Sequence, residues 1–111
     1  MRKDARKAAY WYARAYRNGA SAGAFNLGLE YKKRRNLKSA IRWFSKAAVM
    51  NDGSAMIELA KLYRGQKNGD GKAVPLLQSV LELDRTHASE DDVEQAAALL
   101  LTLQKRARRR G

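Results

Sequence analysis

Apolar side chains recur along this chain at helical spacing, and no segment alternates between apolar and polar residues as a half-buried strand does. The first helix is predicted from the apolar positions Ala5, Ala8, Ala9, Tyr12, Ala15 and Tyr16. Turn-forming residues divide the rest of the chain into further helical segments. The sequence therefore predicts an all-α fold of about six helices, packed as three antiparallel pairs.

The residues at the segment ends predict the helix boundaries. Asn18-Gly19 provides a left-handed stop after the first helix. Ser21 is predicted to cap the second helix, which ends near Lys33, and Asn36 is predicted to cap the third. The remaining helices are predicted over residues 37–50, 54–64, 72–83 and 90–108.

Two of these boundaries carry further expectations. Pro75 has no backbone N–H, so we expect the fifth helix to begin near Lys72 and to hold Pro75 in its first turn. Residues 65–71, GQKNGDG, are predicted to form a flexible loop before that helix. Ser89 is followed by three acidic residues, which predicts a capped start for the sixth helix.

One pattern occurs twice, 32 positions apart. Residues 8–31 read AAYWYARAYRNGASAGAFNLGLEY, and residues 40–63 read AIRWFSKAAVMNDGSAMIELAKLY. Self-similarity at this period is typical of stacked helical repeats. We predict a half repeat, a full repeat, a degenerate repeat and a terminal helix over residues 1–19, 20–52, 53–87 and 88–111.

Residues 11–31, WYARAYRNGASAGAFNLGLEY, resemble the Sel-1-like repeat, and residues 43–65, WFSKAAVMNDGSAMIELAKLYRG, resemble it again. The pattern of that family is a Trp–aromatic pair, a basic residue, two small residues and a glycine, followed by an alanine, a Leu-Gly pair and a tyrosine. In the second copy, Ala60 stands where Gly28 stands in the first. Asn51 departs from the pattern because it stands where Gly19 stands in the first copy. Asparagine also tolerates a left-handed conformation. The similarity is strong over residues 8–65.

The resemblance implies a right-handed, tetratricopeptide-like α-solenoid that acts as a scaffold or adaptor for other proteins, often in bacterial signalling or cell-envelope assembly. It implies no catalytic residues, because the family shares none. By analogy with stacked repeats, we expect a protein or peptide partner in a groove lined by the second, fourth and sixth helices. The groove residues offered by the sequence are Asn26, Glu30, Glu58 and Lys61.

The charge of the chain adds a second hypothesis. The 111 residues carry a formal net charge of +12. Residues 1–20 hold six basic and one acidic side chain, whereas residues 76–95 hold one basic and six acidic. We predict a basic patch that attracts nucleic acid, another polyanion or an acidic protein, with a solvated helix surface as the alternative. Its members are Arg6, Tyr10, Arg14, Arg17, Lys32, Lys33, Arg34, Arg35, Lys38, Arg42 and Lys46.

The aromatic residues of the repeat are predicted to form its core, with a stacking platform for bases as the alternative. Tyr10 is the exception, because it aligns with Arg42 of the second copy and is therefore expected to face outward. The space between successive helix pairs is expected to be filled by Trp11, Tyr31, Trp43 and Tyr63.

The sixth helix has more apolar surface than one packing face requires. One buried stripe is complete with Val93, Ala96, Leu100 and Leu103. We expect Ala97 and Leu101 to pack elsewhere, against a second copy in a homo-oligomer, a partner protein or further repeats. The basic residues 105–110 are predicted to end this helix in accord with its dipole, and binding of anions or a membrane surface is the alternative.

Nothing in the sequence indicates catalysis, a cofactor or a metal. His87 is the only histidine and there is no cysteine, which excludes a multi-histidine site, a thiolate site and a disulfide. Residues 65–72 lack the spacing of a phosphate loop, and Asn68 and Asp70 lack the terminal acid of a calcium loop. No apolar run approaches the roughly 20 residues that span a bilayer, and we see no secretory signal, so we expect a cytoplasmic protein.

Overall fold

The computed structural model describes residues 3–110, with side chains for residues 4–109, and that range contains helices and no strand. The helices are α1 Lys3–Arg17, α2 Ser21–Lys33, α3 Leu37–Val49, α4 Gly53–Arg64, α5 Asp70–Glu82 and α6 Glu90–Arg110. The all-α prediction is confirmed. Residues 1, 2 and 111, at the ends of the first and last predicted units, lie outside the described residues.

Each helix packs on the next one along the chain, and α4 also packs on α6. Short turns reverse the chain between helices, so neighbours in sequence run antiparallel. The molecule measures 49 × 30 × 18 Å, which is the shape of a slab with its helices side by side. One broad face of that slab carries α2, α4 and α6 as neighbours, because ion pairs and hydrogen bonds join side chains of those three helices.

The first three turns close in the same way, sixteen residues apart. Gly19, Arg35 and Asn51 have positive φ angles of 93°, 61° and 63°. In each turn, the residue that follows the positive-φ residue donates its backbone N–H to the carbonyl oxygen five positions earlier. The N–H groups of Ala20, Asn36 and Asp52 donate in this way to the carbonyls of Ala15 (2.9 Å), Tyr31 (2.9 Å) and Ala47 (3.2 Å). This hydrogen bond defines a Schellman closure. The left-handed stops predicted at Gly19 and Asn51 are confirmed, whereas Arg35 carries no sequence signal for this conformation.

Two predicted caps are also confirmed. The Asn36 side chain accepts a hydrogen bond from the Ser39 N–H at 3.2 Å, at the start of α3. At the start of α6, Ser89 Oγ accepts from the Asp92 N–H at 3.1 Å, while the Asp92 carboxylate accepts from the Ser89 N–H at 3.1 Å. This reciprocal pair is a capping box, which satisfies backbone donors that a helix end leaves without partners.

Two boundary predictions are wrong. Ser21 is the first helical residue of α2 and does not cap it, because the closure at Gly19 already puts Ala20 in the cap position, where no side chain bonds the helix end. Pro75 is the sixth residue of α5 rather than a first-turn residue, because the helix begins at Asp70. The proline is tolerated there since the carbonyl that it leaves without an N–H belongs to Gly71, which is exposed to water. All other helix ends lie within two residues of their predicted positions.

The core runs the length of the slab in two joined clusters. The first surrounds Phe44 of α3, which is fully buried. A Cβ placed on Gly28 of α2 would lie 2.5 Å from the Phe44 ring, so the ring occupies the space that a larger residue would need. The second cluster surrounds Leu77 of α5, which is also fully buried. Three partly buried residues pack against both clusters and join them: Ala48, Tyr63 and Leu76.

Candidate binding surfaces

Three helices that are not consecutive in sequence converge on one side of the molecule. Side chains of α2, α4 and α6 line a surface pocket of about 160 Å³. Ile57 forms a buried apolar floor, and the half-buried Phe25 forms a wall. The polar lining residues are Ser54, Glu58, Asp92 and Gln95. We call this surface the groove, because α2, α4 and α6 are the helices from which the sequence predicted one.

An ion-pair network ties α2 to α4 at one end of the groove. Glu58 lies between two lysines, with carboxylate oxygens 2.7 Å from Lys32 Nζ and 3.8 Å from Lys61 Nζ. Lys61 Nζ also lies 3.5 Å from the side-chain oxygen of Gln95, which extends the network to α6. Because Glu58 is only 17 % exposed, these lysines offset most of the charge that it would otherwise present to a partner.

A second polar contact ties α4 to α6 near the other end of the groove. Ser54 Oγ donates to the Asp92 carboxylate, at 3.2 and 3.3 Å from its two oxygens. Asp92 therefore serves both the capping box of α6 and the junction between two helices. The two residues lie 38 positions apart, and no local sequence signal connects them. Sequence reasoning missed this pair, although it predicted the Ser89 cap that positions it.

Of the four residues predicted for the groove, only Glu58 lines the pocket itself. Lys61 forms its rim through the contacts with Glu58 and Gln95. Glu30 lies 3.6 Å from Lys33 Nζ of its own helix. Asn26 is half-buried on α2. Whether these residues contact a partner stays a prediction.

A neighbouring pocket of about 370 Å³ shares Ser54 and Asp92 with the groove and is bounded by the connection between α5 and α6. Asp84 orders that connection, since its Oδ1 accepts from the N–H groups of Thr86 (3.0 Å) and His87 (3.1 Å). Two neighbours lower the pKa of Asp84 from 3.8 to about 2. The larger effect comes from the hydrogen bond that the Thr86 hydroxyl donates, and the next from the His87 ring, whose Nδ1 lies 2.8 Å from Asp84 Oδ1. The His87 carbonyl accepts from the Gly53 N–H at 2.9 Å, so the backbone of residue 87 joins the connection to α4.

The predicted basic patch is divided between two sides of the molecule. Arg6, Arg14 and Arg17 are exposed along α1. Lys38 and Arg42 are exposed on α3, where they line a pocket of about 270 Å³ with Ser39. Lys46 joins α3 to α1, because its Nζ lies 5.7 Å from the ring centroids of both Tyr16 and Trp43.

The four basic residues at the end of α2 do not extend this stripe uniformly. Lys32 pairs with Glu58 of the groove, and Lys33 pairs with Glu30 of its own helix. Arg34 and Arg35 are exposed in the turn, and the Arg34 guanidinium lies 5.7 Å from the ring centroid of Tyr31. The exposed cations on α1 and α3 form no ion pair with a described acidic side chain.

The prediction that Trp11 fills a space in the core is wrong. Trp11 is 55 % exposed, as is the neighbouring Tyr10, for which exposure was predicted. The equivalent Trp43 is half-buried because its ring packs edge-to-face on Tyr16 of α1, at 5.7 Å. Within the described residues, no helix lies on the corresponding side of α1. Trp11 therefore contacts only Tyr10 (5.4 Å) and the Arg14 guanidinium (5.5 Å) among the rings and cations of the described chain.

The outer face of α6 is exposed where the sequence predicted a second apolar surface. Leu101 is 53 % exposed and Ala97 is exposed beside it, whereas the opposite stripe of α6 is buried against α5.

In the basic segment 105–110 at the end of α6, Arg106 forms an ion pair with Asp70 of α5, with Nη2 and Oδ2 3.7 Å apart. A pocket of about 510 Å³ lies beside that pair and is lined by residues of the connection that precedes α5.

The described residues contain neither a cluster of metal ligands nor a membrane-spanning helix. No group of three or more His, Asp or Glu side chains in that part of the chain is arranged to hold a metal ion. None of the described helices combines the length and apolar character needed to cross a membrane.

Comparison of the chain with models of known protein families, with curated proteins and with solved structures gives no match. The resemblance to the Sel-1-like repeat stays a prediction from the residues alone.

Proposed function

We propose that this protein is a non-enzymatic scaffold that binds a protein partner in the groove formed by α2, α4 and α6. The observation that carries the proposal is the convergence of these three helices on one pocket with an apolar floor and a charged rim. A rim of this kind orients a partner, while a small apolar pocket accepts one of its side chains.

The proposal includes an α-solenoid of the Sel-1-like type. It is supported by the sequential packing of the helices and by the three identical turn closures at Gly19, Arg35 and Asn51. In such a stack, every second helix contributes to the same face, so a surface that spans several repeats is available to a single extended partner.

The test uses one substitution at two positions on the same helix. Gln95 is exposed and lines the groove, so Gln95→Arg places a long cation in the pocket without disturbing the core. Gln104→Arg makes the same change at an exposed position of α6 outside the groove. A partner captured from lysate of the source organism after nuclease treatment is purified, and its affinity for each variant is measured by calorimetry.

We expect Gln95→Arg to weaken partner binding by about tenfold or more, which corresponds to a loss of at least about 1.4 kcal/mol. Gln104→Arg should leave the affinity unchanged. Equal affinities for both variants would show that the groove does not hold the partner.

A second candidate function, binding of a polyanion, is favoured by the exposed arginines of α1 and the exposed cations of α3. Arg6, Arg14 and Arg17 form no ion pair with any described acidic side chain, and the whole chain carries a net charge of +12. A cationic stripe of this kind attracts phosphate backbones by counterion release, without reading their sequence.

Salt dependence tests this candidate. Affinity for heparin and for nucleic acid should fall by about tenfold or more between about 50 mM and about 200 mM salt, because each phosphate contact releases counterions. Arg14→Glu and Arg42→Glu should weaken binding and flatten the salt dependence, whereas Lys105→Glu on α6 should have a smaller effect. Binding that is insensitive to salt and to both substitutions would exclude a role for the α1 and α3 cations.

A further inference from the structure

Two large aromatic side chains lie side by side on the exposed face of α1. Tyr10 and Trp11 are each 55 % exposed, and their ring centroids are 5.4 Å apart with planes inclined by 78°. The other aromatic residues of the described chain are buried or half-buried. Two adjacent exposed rings form an apolar patch, and such a patch is a candidate site for binding another molecule.

The charges around the pair decide which kind of molecule fits. Arg14 places its guanidinium 5.5 Å from the Trp11 ring centroid, and Arg6, Lys7 and Arg17 are exposed on the same helix. Positions 6, 10, 14 and 17 follow helical spacing, so the arginines lie along one stripe of about 16 Å with Tyr10 within it. The net charge of +12 repels a second copy of the chain over all of its surface except the acidic segment 76–95. A partner that is anionic along its whole length is attracted to the full stripe.

The aromatic rings distinguish among anionic partners. Heparin engages cations but has no aromatic group to place on an indole ring, and an acidic protein offers only isolated aromatic side chains, whereas a nucleic acid carries a base beside every phosphate. Nucleobases stack on aromatic side chains and on arginine guanidinium planes, while the adjoining phosphates contact the cations. In a duplex the base faces are already stacked within the helix, so only a single strand can offer them.

We propose that Tyr10 and Trp11 form a stacking platform for the bases of a single-stranded nucleic acid, whose phosphates bind Arg6, Arg14 and Arg17. This inference rests on the second candidate function, and it adds the class of polyanion and the residues that select it. Stacking is tolerant of base identity, so the surface prefers single strands to duplexes without strong sequence preference.

The two tryptophans of the chain make the contact directly observable. Trp43→Phe leaves Trp11 as the only tryptophan, and Trp11→Phe leaves Trp43. Both changes keep an aromatic ring, and folding is checked by circular dichroism. Binding of a short oligothymidylate is followed by fluorescence anisotropy of a labelled strand, and tryptophan emission is recorded at matched occupancy. We expect the strand to quench Trp11 emission strongly and Trp43 emission little.

Affinity measurements separate stacking from charge. Trp11→Ala and Tyr10→Ala should each weaken oligothymidylate binding by about tenfold, whereas Trp11→Tyr should retain most of the affinity. Binding of a duplex of the same length should change less than twofold in these variants, because it depends on the cations. Leu101→Ala, which removes an equally exposed apolar side chain from α6, serves as the matched control and should change neither affinity.

The outcomes distinguish this inference from the function on which it rests. If the native chain binds neither strand, duplex nor heparin, the polyanion function and the platform both fail. If it binds all three alike and Trp11→Ala changes nothing, the platform alone is overturned. The platform is equally overturned if Trp11 emission is unaffected by the strand, or if Trp11→Ala instead converts an oligomer to a monomer in sedimentation, since Trp11 would then belong to a contact between copies.

Discussion

Helices α1 and α3 each carry a Trp–aromatic pair in equivalent positions, but the two pairs are buried to different extents. In α3, Phe44 is fully buried between α2 and α4, and Trp43 packs on Tyr16 of α1 under the Lys46 ammonium. In α1, Tyr12 is only half-buried and Trp11 is more than half-exposed. Helix α3 packs on α2 and α4 and also contacts α1 through Trp43, whereas no described helix covers the Trp11 side of α1.

This difference shows that the burial of equivalent residues depends on which helices surround them. Each copy of the sequence pattern contains such a pair, and for Trp43 of α3 the packing surface is Tyr16 of α1. Where that surface is absent from the described chain, the same residue becomes an exposed ring with cations around it. The same sequence pattern therefore places its tryptophan in packing contacts in one helix and in water in the other.

The largest expected effect is the difference in unfolding free energy between alanine variants of Phe44 and of Tyr12, its counterpart in α1. Phe44→Ala removes a fully buried ring that fills the space beside Gly28, and should lower the free energy of unfolding by about 3–5 kcal/mol. Tyr12→Ala should cost less than half as much, because the tyrosine is half-buried. Urea denaturation followed by circular dichroism measures both.

If Phe44→Ala does not fold, Phe44→Leu keeps most of the volume and should cost about 1.5 kcal/mol or less, still with a lower denaturation midpoint than the native chain. Equal losses for the alanine variants at positions 12 and 44 would contradict the difference in burial between the two helices.

A smaller difference is expected between the two tryptophans. Trp43→Ala removes an edge-to-face contact with Tyr16 and a cation–π contact with Lys46, and should cost about 2 kcal/mol. Trp11→Ala should change the unfolding free energy by about 0.5 kcal/mol or less, since surface substitutions away from packed features have small effects. Thermal denaturation of the two variants provides the comparison. A loss at Trp11 as large as that at Trp43 would mean that Trp11 is buried in solution.

The sequence predicted the regular part of this fold well, because helical periodicity and turn residues are local signals. The stops at Gly19 and Asn51 and the caps at Asn36 and Ser89 followed from the residue types alone. The exposure of Trp11 did not follow, because it depends on which helix lies beside α1 and not on the residues of α1. The Ser54–Asp92 junction was likewise beyond local reasoning, since it joins two helices across a long sequence separation. A repeat pattern thus predicts which contacts recur, and only the arrangement of helices shows where the recurrence stops.

The smallest expected effects concern the turns that end the compared helices. Gly19 after α1 and Asn51 after α3 both adopt positive φ, at 93° and 63°. A Cβ on Gly19 would meet nothing within 4 Å, so any cost of substitution there comes from the backbone conformation alone. Gly19→Ala should therefore destabilise the chain by about 1 kcal/mol, whereas Gly19→Asn should cost a few tenths of that, as the equivalent Asn51 implies.

The turn after α2 provides the opposite test, because Arg35 holds a φ of 61° with a side chain poorly suited to it. Arg35→Gly should raise the unfolding free energy by about 1 kcal/mol, and Arg35→Lys, which keeps the charge, should leave it unchanged. Denaturant midpoints are compared at one pH and salt concentration for the two Arg35 variants and the two Gly19 variants. A loss of stability in Arg35→Gly would mean that the arginine side chain contributes more to this turn than its strained backbone costs, and the three closures would then owe their stability to different interactions.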